Sequence, residues 1–250
     1  MLIDSHCHLL SSCYDDVKKE IEKAFSCGVD KLIINGYDVK TSHEAVELAN
    51  SYENVYASVG IGPENCNDIT KKDIDKIKKL SKNKKVVAIG EIGLDYYWTK
   101  ENKDKQISTF KSMLNIAKER NLPVIVHNRD ATKDVYDLLK EYQVSGIMHC
   151  FSGSIESAKE FIKLGFLIGI GGVVTFKNAK KAKEVVKQIP LECISLETDS
   201  PYLTPEPYRG RINNPCNLAY IVNEIAKIKE VKDKVVMDKT GLSVMTKFDL

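Results

Sequence analysis

The chain has 250 residues, 43% of them hydrophobic and 29% charged, and a formal net charge of +2 at pH 7. That composition excludes a disordered chain and leaves room for one large globular domain or two small ones. The near-balance of charge permits contact with a polyanion but does not suggest nonspecific coating of one.

Short runs rich in Val and Ile recur along the chain: "LIDSH" from Leu2, "KLIING" from Lys31, "VYASVG" from Val55, "VVAIGEIG" from Val86, "PVIVH" from Pro123, "SGIMHC" from Ser145, "FLIGIGG" from Phe166 and "CISLETD" from Cys193. They are apolar throughout rather than alternating, which is the pattern of strands buried on both faces in a parallel sheet. Between them, residues 15–27, 42–51, 72–80, 103–120, 133–142, 155–164, 179–188 and 218–228 carry apolar positions at helical spacing with polar outer faces. Eight strand and helix alternations in this length predict a (β/α)8 TIM barrel, a single domain over residues 1–250, with an open doubly wound sheet as the structural alternative. The C-terminal "KDKVVMDKTGLSVMTKFDL" reads as a final helix packed on the barrel.

Seven cysteines, scattered and without a C-x-x-C pair, argue against a disulfide framework and against a zinc ribbon. No apolar run is long enough to span a membrane, and Asp4 and His6 arrive too early for the hydrophobic segment of a secretory signal. A cytoplasmic protein is expected.

In a barrel of this kind the chemistry sits at the C-terminal ends of the strands. His6 and His8 end the first strand, Glu91 the fourth, His127 the fifth, His149 the sixth and Asp199 the eighth. His6 and His8, two apart, project to one side. The remaining histidine, His43, falls in a helical stretch and reads as a surface residue. Four imidazoles and two carboxylates exceed the three or four protein ligands of a single catalytic zinc, so two metals are expected, with Glu91 able to bridge them through its two oxygens. The imidazole-rich set favours zinc, manganese or cobalt over magnesium, although magnesium remains possible. Ligand histidines must be neutral, so metal affinity and activity are expected to fall below about pH 6.5. Around this set, Arg129, Arg209 and Arg211 are candidate phosphate clamps or surface ion pairs. Tyr96, Tyr97 and Trp98 are candidates to stack on a base or to form an apolar lid. Asp95 reads as a group that holds a ligand from behind. The glycines of "GIGG", Gly169 to Gly172, either let backbone approach a phosphate or permit a tight turn.

Together, "DSHCHL" at Asp4, "GEIGLDYY" at Gly90, "PVIVHNRDA" at Pro123, "HCFSG" at His149 and "ETDSPYLTPEPYRG" at Glu197 resemble the TatD family of metal-dependent deoxyribonucleases, within the amidohydrolase-like barrels. The resemblance implies a two-metal centre that hydrolyses DNA, in some members as a 3′ exonuclease acting on single-stranded ends. Carried onto this chain, it implies that His6, His8, Glu91 and Asp199 hold one metal and Glu91, His127 and His149 the other. Asp199 would also activate the attacking water. A monomer is favoured. Two departures stand out: the family's Gly-x-His-Pro appears here as Gly60-Ile61-Gly62-Pro63, and its Arg-Asn-Glu-Pro as Ile212-Asn213-Asn214-Pro215. Two other functions fit the same residues. One is hydrolysis of a small amide, ester or lactone, since a bridged centre also polarises carbonyls, though Glu91 in place of a bridging lysine disfavours it. The other is a noncatalytic, metal-stabilised protein that binds nucleic acid.

Overall fold

A computed structural model describes residues 1–97 and 101–250. Eight parallel strands form one sheet in sequential order: β1 (Ile3–Cys7), β2 (Lys31–Asn35), β3 (Val55–Val59), β4 (Val86–Asp95), β5 (Val124–Arg129), β6 (Gly146–Met148), β7 (Leu167–Ile170) and β8 (Ile194–Leu196). Each is followed by a helix: α1 (Val17–Ser26), α2 (Val39–Ser51), α3 (Lys71–Leu80), α4 (Lys103–Arg120), α5 (Thr132–Tyr142), α6 (Ile155–Lys163), α7 (Lys180–Gln188) and α8 (Leu218–Lys229). The architecture is the expected single-domain TIM barrel. Every apolar run named above is a strand, because a strand with helices on one side and the barrel interior on the other has no face left for polar residues.

The barrel is nearly closed where β8 returns to β1, and side chains supply much of the hydrogen bonding across that seam. Asp4, fully buried, accepts from Thr198 through both the backbone N–H (3.0 Å) and Oγ1 (2.6 Å). Ser5 Oγ donates to the Leu196 carbonyl at 2.9 Å. Beyond them the Asp199 N–H donates to the His6 carbonyl and the His8 N–H to the Ser200 carbonyl. Burial pushes the Asp4 carboxyl up to about 7, against the pull of its Thr198 hydrogen bonds.

Inside the barrel, Ile3, Ile33, Val87, Ile125, Ile147 and Leu167 form an apolar floor. A last helix, α9 (Asp233–Phe248), lays Val244 and Phe248 against it and so caps the N-terminal mouth. This is the packing expected of the C-terminal segment. The opposite mouth is left for chemistry. Among the described residues, no helix is long and apolar enough to cross a membrane.

One expectation needs correction. Cys27, just past α1, and Cys216, just before α8, form a disulfide with Cα atoms 5.4 Å apart. They lie 189 residues apart in sequence, and only barrel closure, which sets the first and last βα units side by side, makes them neighbours. Cys7, Cys13, Cys66, Cys150 and Cys193 are free thiols.

Thr198→Val keeps the shape of the side chain but deprives Asp4 of its closest donor. It should cost about 1–3 kcal/mol in urea unfolding. The loss should be larger at pH 8, where Asp4 must ionise, than at pH 6.

Candidate metal centre

The irregularities of the strands place the site. The β1–β2 register shifts between Asp4 and Cys7, across His6, and the β4–β5 register shifts between Ile89 and Ile92, across Glu91. Such bulges turn a side chain away from the regular alternation, which suits a residue that must reach the barrel axis. Glu91 and His127 therefore sit within β4 and β5 rather than at their ends, because those strands run on to Asp95 and Arg129. His8 and His149 lie just past β1 and β6. Asp199, three residues past β8, has a left-handed backbone, φ 56°, which Asp adopts more readily than most residues.

All six side chains converge. His6 Nε2 and His8 Nε2 are 3.1 Å apart. Asp199 Oδ1 lies 3.6 Å from Nε2 of each of His6, His8 and His149. Glu91 divides its carboxylate: Oε1 is 3.0 Å from His127 Nδ1, whereas Oε2 is 3.4 Å from His6 Nε2 and 3.5 Å from His8 Nε2. Three overlapping triads, His6–His8–Glu91, Glu91–His127–His149 and His6–His149–Asp199, each offer ligand atoms within 4.8 Å of one another. His43, on α2, is exposed and apart from them.

Two of the four rings are hydrogen-bonded from behind, whereas Nδ1 of His6 and of His149 has no hydrogen-bond partner among the described residues. His8 Nδ1 meets the Asn35 carbonyl at 2.9 Å, and His127 Nε2 meets Asp95 Oδ2 at 3.0 Å, the support expected of Asp95. His149 Nδ1 lies 3.2 Å from Glu197 Oε1. Glu197 is the residue that the sequence reading missed. Its signal was available: Glu197 and Asp199 stand two apart, as His6 and His8 do.

Burial sets the charges. It depresses His6 to about 4, with the nearby His149 adding to the effect. On His127 the burial penalty is outweighed by Asp95 and Glu91, which raise it to about 9; on His149 it is outweighed by Glu197 and Asp199, which raise it to about 10. Glu91 and Asp199 stay below the usual carboxylate range because their imidazole neighbours overcome desolvation. Two ionised carboxylates and imidazoles that hold or lack protons at nearly constant positions form a donor set suited to divalent cations.

The centre opens into a cleft of about 940 Å³. Arg129 lines it with its guanidinium 3.7 Å over the Tyr97 ring, and Tyr97, Tyr37 and Tyr202 share the wall. The other sequence candidates divide. Arg209 and Arg211 do not line the cleft but sit over Phe176 and Tyr208. Tyr96 is buried, donates to Asp134 and lies under Lys103, so it is unavailable for stacking. Trp98 lies outside the described residues. Gly62 lines the cleft, whereas Asn214 caps a turn by accepting from the Cys216 N–H. The glycines from Gly169 serve close packing: Gly169 faces Glu197 and Gly172 faces the Leu203 carbonyl.

A buried cluster of imidazoles and carboxylates at the C-terminal mouth of a (β/α)8 barrel defines a metal-dependent hydrolase. The model of the family described as TatD related DNase matches residues 3–247, and the chain belongs to that family. It is 48% identical over 235 residues to "Uncharacterized metal-dependent hydrolase YabD" of Bacillus subtilis, covering 92% of both chains. It is 36% identical over 237 residues to "Uncharacterized metal-dependent hydrolase YcfH" of Escherichia coli K12, covering 92% of this chain and 89% of the relative. The crystal structure of YJJV, a TatD homolog from Escherichia coli K12, superposes with a TM-score of 0.93 at 28% identity, over 100% of this chain and 98% of the other.

The ordinary histidine value behind the expected pH 6.5 threshold does not describe this cluster. His127 and His149 carry protons in the metal-free protein at neutral pH, so metal uptake at pH 7 should release protons, and affinity should keep rising toward pH 9. Calorimetric titration with manganese in buffers of different ionisation enthalpy measures the release; a buffer-independent heat would contradict it. The sign for stability is opposite. Folded values above the unfolded 6.5 contribute stability that is full below about pH 6.5 and is lost as pH rises through 9 to 10, so the melting temperature of the metal-free protein should fall over that window.

Proposed function

We propose that the chain hydrolyses DNA phosphodiester bonds at a two-metal centre, releasing nucleotides from the 3′ end of single strands. The observation that carries the two-metal reading is the division of Glu91, whose two oxygens face separate imidazole sets on opposite sides of one carboxylate. In this reading His6, His8, Glu91 and Asp199 hold one cation and Glu91, His127 and His149 the other. The abundance of imidazole favours zinc, manganese or cobalt, with magnesium able to substitute. The family model, described as TatD related DNase, supports DNA as substrate.

Two divalent cations supply Lewis acidity, making water easier to deprotonate at neutral pH and offsetting charge on the phosphate. The chain's own groups do the rest. Glu91 and Asp199 contribute only two negative charges, leaving a centre of net positive charge that accepts a phosphodiester anion together with its nucleophile. Asp199 Oδ1, central to three imidazoles, takes the proton of the attacking water. Arg129, at the end of β5, steadies a non-bridging oxygen with its guanidinium fork. Tyr97, 55% exposed at the rim, and Tyr202, 57% exposed, offer ring faces to unpaired bases. The direction of cleavage and the monomeric state rest on the family resemblance alone.

End-labelled single- and double-stranded DNA should be degraded after chelation and re-addition of manganese, and Glu91→Ala should abolish that activity. No cleavage of DNA, together with turnover of nitrophenyl carboxylate esters or amides, would replace the nuclease with a carbonyl hydrolase. Arg129→Ala should raise KM by about 10- to 100-fold, the loss of one charge-assisted hydrogen bond worth about 1.5–3 kcal/mol, with kcat changed less.

A further inference from the structure

We propose that Glu197 is the positioning residue of His149, holding its ring so that Nε2 faces Glu91 and Asp199. The inference rests on the reading of His149 as a metal ligand. Glu197 follows β8 directly and is fully buried. Its Oε1 accepts from the Cys150 N–H at 2.5 Å and stands 3.2 Å from His149 Nδ1. The chain reverses there, with Cys150 in a left-handed conformation at φ 45°. One carboxylate oxygen thus hydrogen-bonds the backbone immediately after His149 and stands at ion-pair distance from its ring, whose Nδ1 has no hydrogen-bond partner among the described residues.

Two observations set Glu197 apart from an ordinary buried acid. Among the described residues its Oε2 has no hydrogen-bond partner, and no lysine or arginine lies within ion-pairing distance of the carboxylate. A buried carboxylate held this way is costly to the fold. The neighbouring strand has also made room for it: a Cβ on Gly169 would lie 2.6 Å from Oε2. The placement of a carboxylate behind the ring resembles that of Asp95 behind His127, where the contact is a hydrogen bond. A carboxylate behind a ligating imidazole keeps the proton on the rear nitrogen and leaves the lone pair of the other free for the metal. Here the rear nitrogen is Nδ1, and Nε2, the nitrogen left for a metal, lies 3.6 Å from Asp199 Oδ1.

The test uses Glu197→Gln, which keeps size and shape, together with Gly169→Ala, which displaces the carboxylate without removing it. Manganese binding to the full chain is followed by electron paramagnetic resonance, the proton on His149 Nδ1 in the protein loaded with diamagnetic zinc by long-range proton–nitrogen spectra, and folding by circular dichroism and melting. Wild type should bind two equivalents, one of them lost in His149→Ala. Glu197→Gln should keep its fold, weaken that same equivalent about 10–100-fold, leave the other unchanged and lose the fixed Nδ1-protonated signal. Gly169→Ala should weaken the same equivalent, and it decides the matter if Glu197→Gln fails to fold. Two equivalents at wild-type affinity with an unchanged His149 spectrum would overturn the inference and leave the metal reading intact. Equal weakening of both equivalents alongside a lower melting temperature would also overturn it, as a purely structural role. A wild type that binds no manganese, or a His149→Ala that keeps both equivalents, would overturn the metal reading itself and this inference with it.

Discussion

Asp4 takes two hydrogen bonds from Thr198 across the line where the last strand meets the first. His6 and His8 stand just beyond one partner and Asp199 just beyond the other, so the distance between the imidazole pair and the carboxylate is set by that junction. The ladder continues with the Asp199 N–H on the His6 carbonyl and the His8 N–H on the Ser200 carbonyl. The junction belongs to the fold, yet its hydrogen bonds also fix the spacing of the site. Glu91, His127 and His149 arrive from the other side of the mouth on neighbouring parallel strands, with a register shift across Glu91.

The second constraint is electrostatic. Glu91 and Asp199 lie in a buried mouth where their close partners are imidazoles. His6 cannot readily take up charge, whereas His127 and His149 are backed by Asp95 and Glu197 and do so easily. The site therefore sets one imidazole that resists protonation, His6, among three that favour it, His8, His127 and His149. A cation entering among these three replaces protons with metal charge, which lets carboxylates this close together remain ionised.

Much of this was legible in the sequence because burial on both faces leaves a simple trace. "PVIVH" and "SGIMHC" are apolar up to their histidines, and the barrel rule sends both ends to one mouth. Residues whose role depends on local departures from the strand were harder to place. Glu91 was recognised, but the continuation of β4 to Asp95 was not, since a register shift leaves no mark in hydrophobic patterning. Arg209 and Arg211 have the right chemistry for phosphate, yet aromatic rings hold them outside the cleft. Tyr96 and Tyr97 are adjacent and alike, and only the fold shows that one is buried against Asp134 while the other reaches the rim. Glu197 was hidden for a different reason: a carboxylate that serves a histidine on another strand is visible only once the strands are neighbours.

The disulfide that joins the end of α1 to the start of α8 has a topological consequence. It turns the chain between Cys27 and Cys216 into a covalent ring containing seven of the eight strands, with β1 on one tail and α8 and α9 on the other. Both tails leave from the same point on the barrel wall. A backbone cut anywhere in the ring would open a loop without parting the molecule, so the pieces carrying the two halves of the metal centre would stay tethered. The outer tails have no such bond, and β1, which brings two of the four clustered histidines, is kept in place by noncovalent contacts: the hydrogen bonds of the seam and of β2, and the burial of Ile3 in the barrel floor.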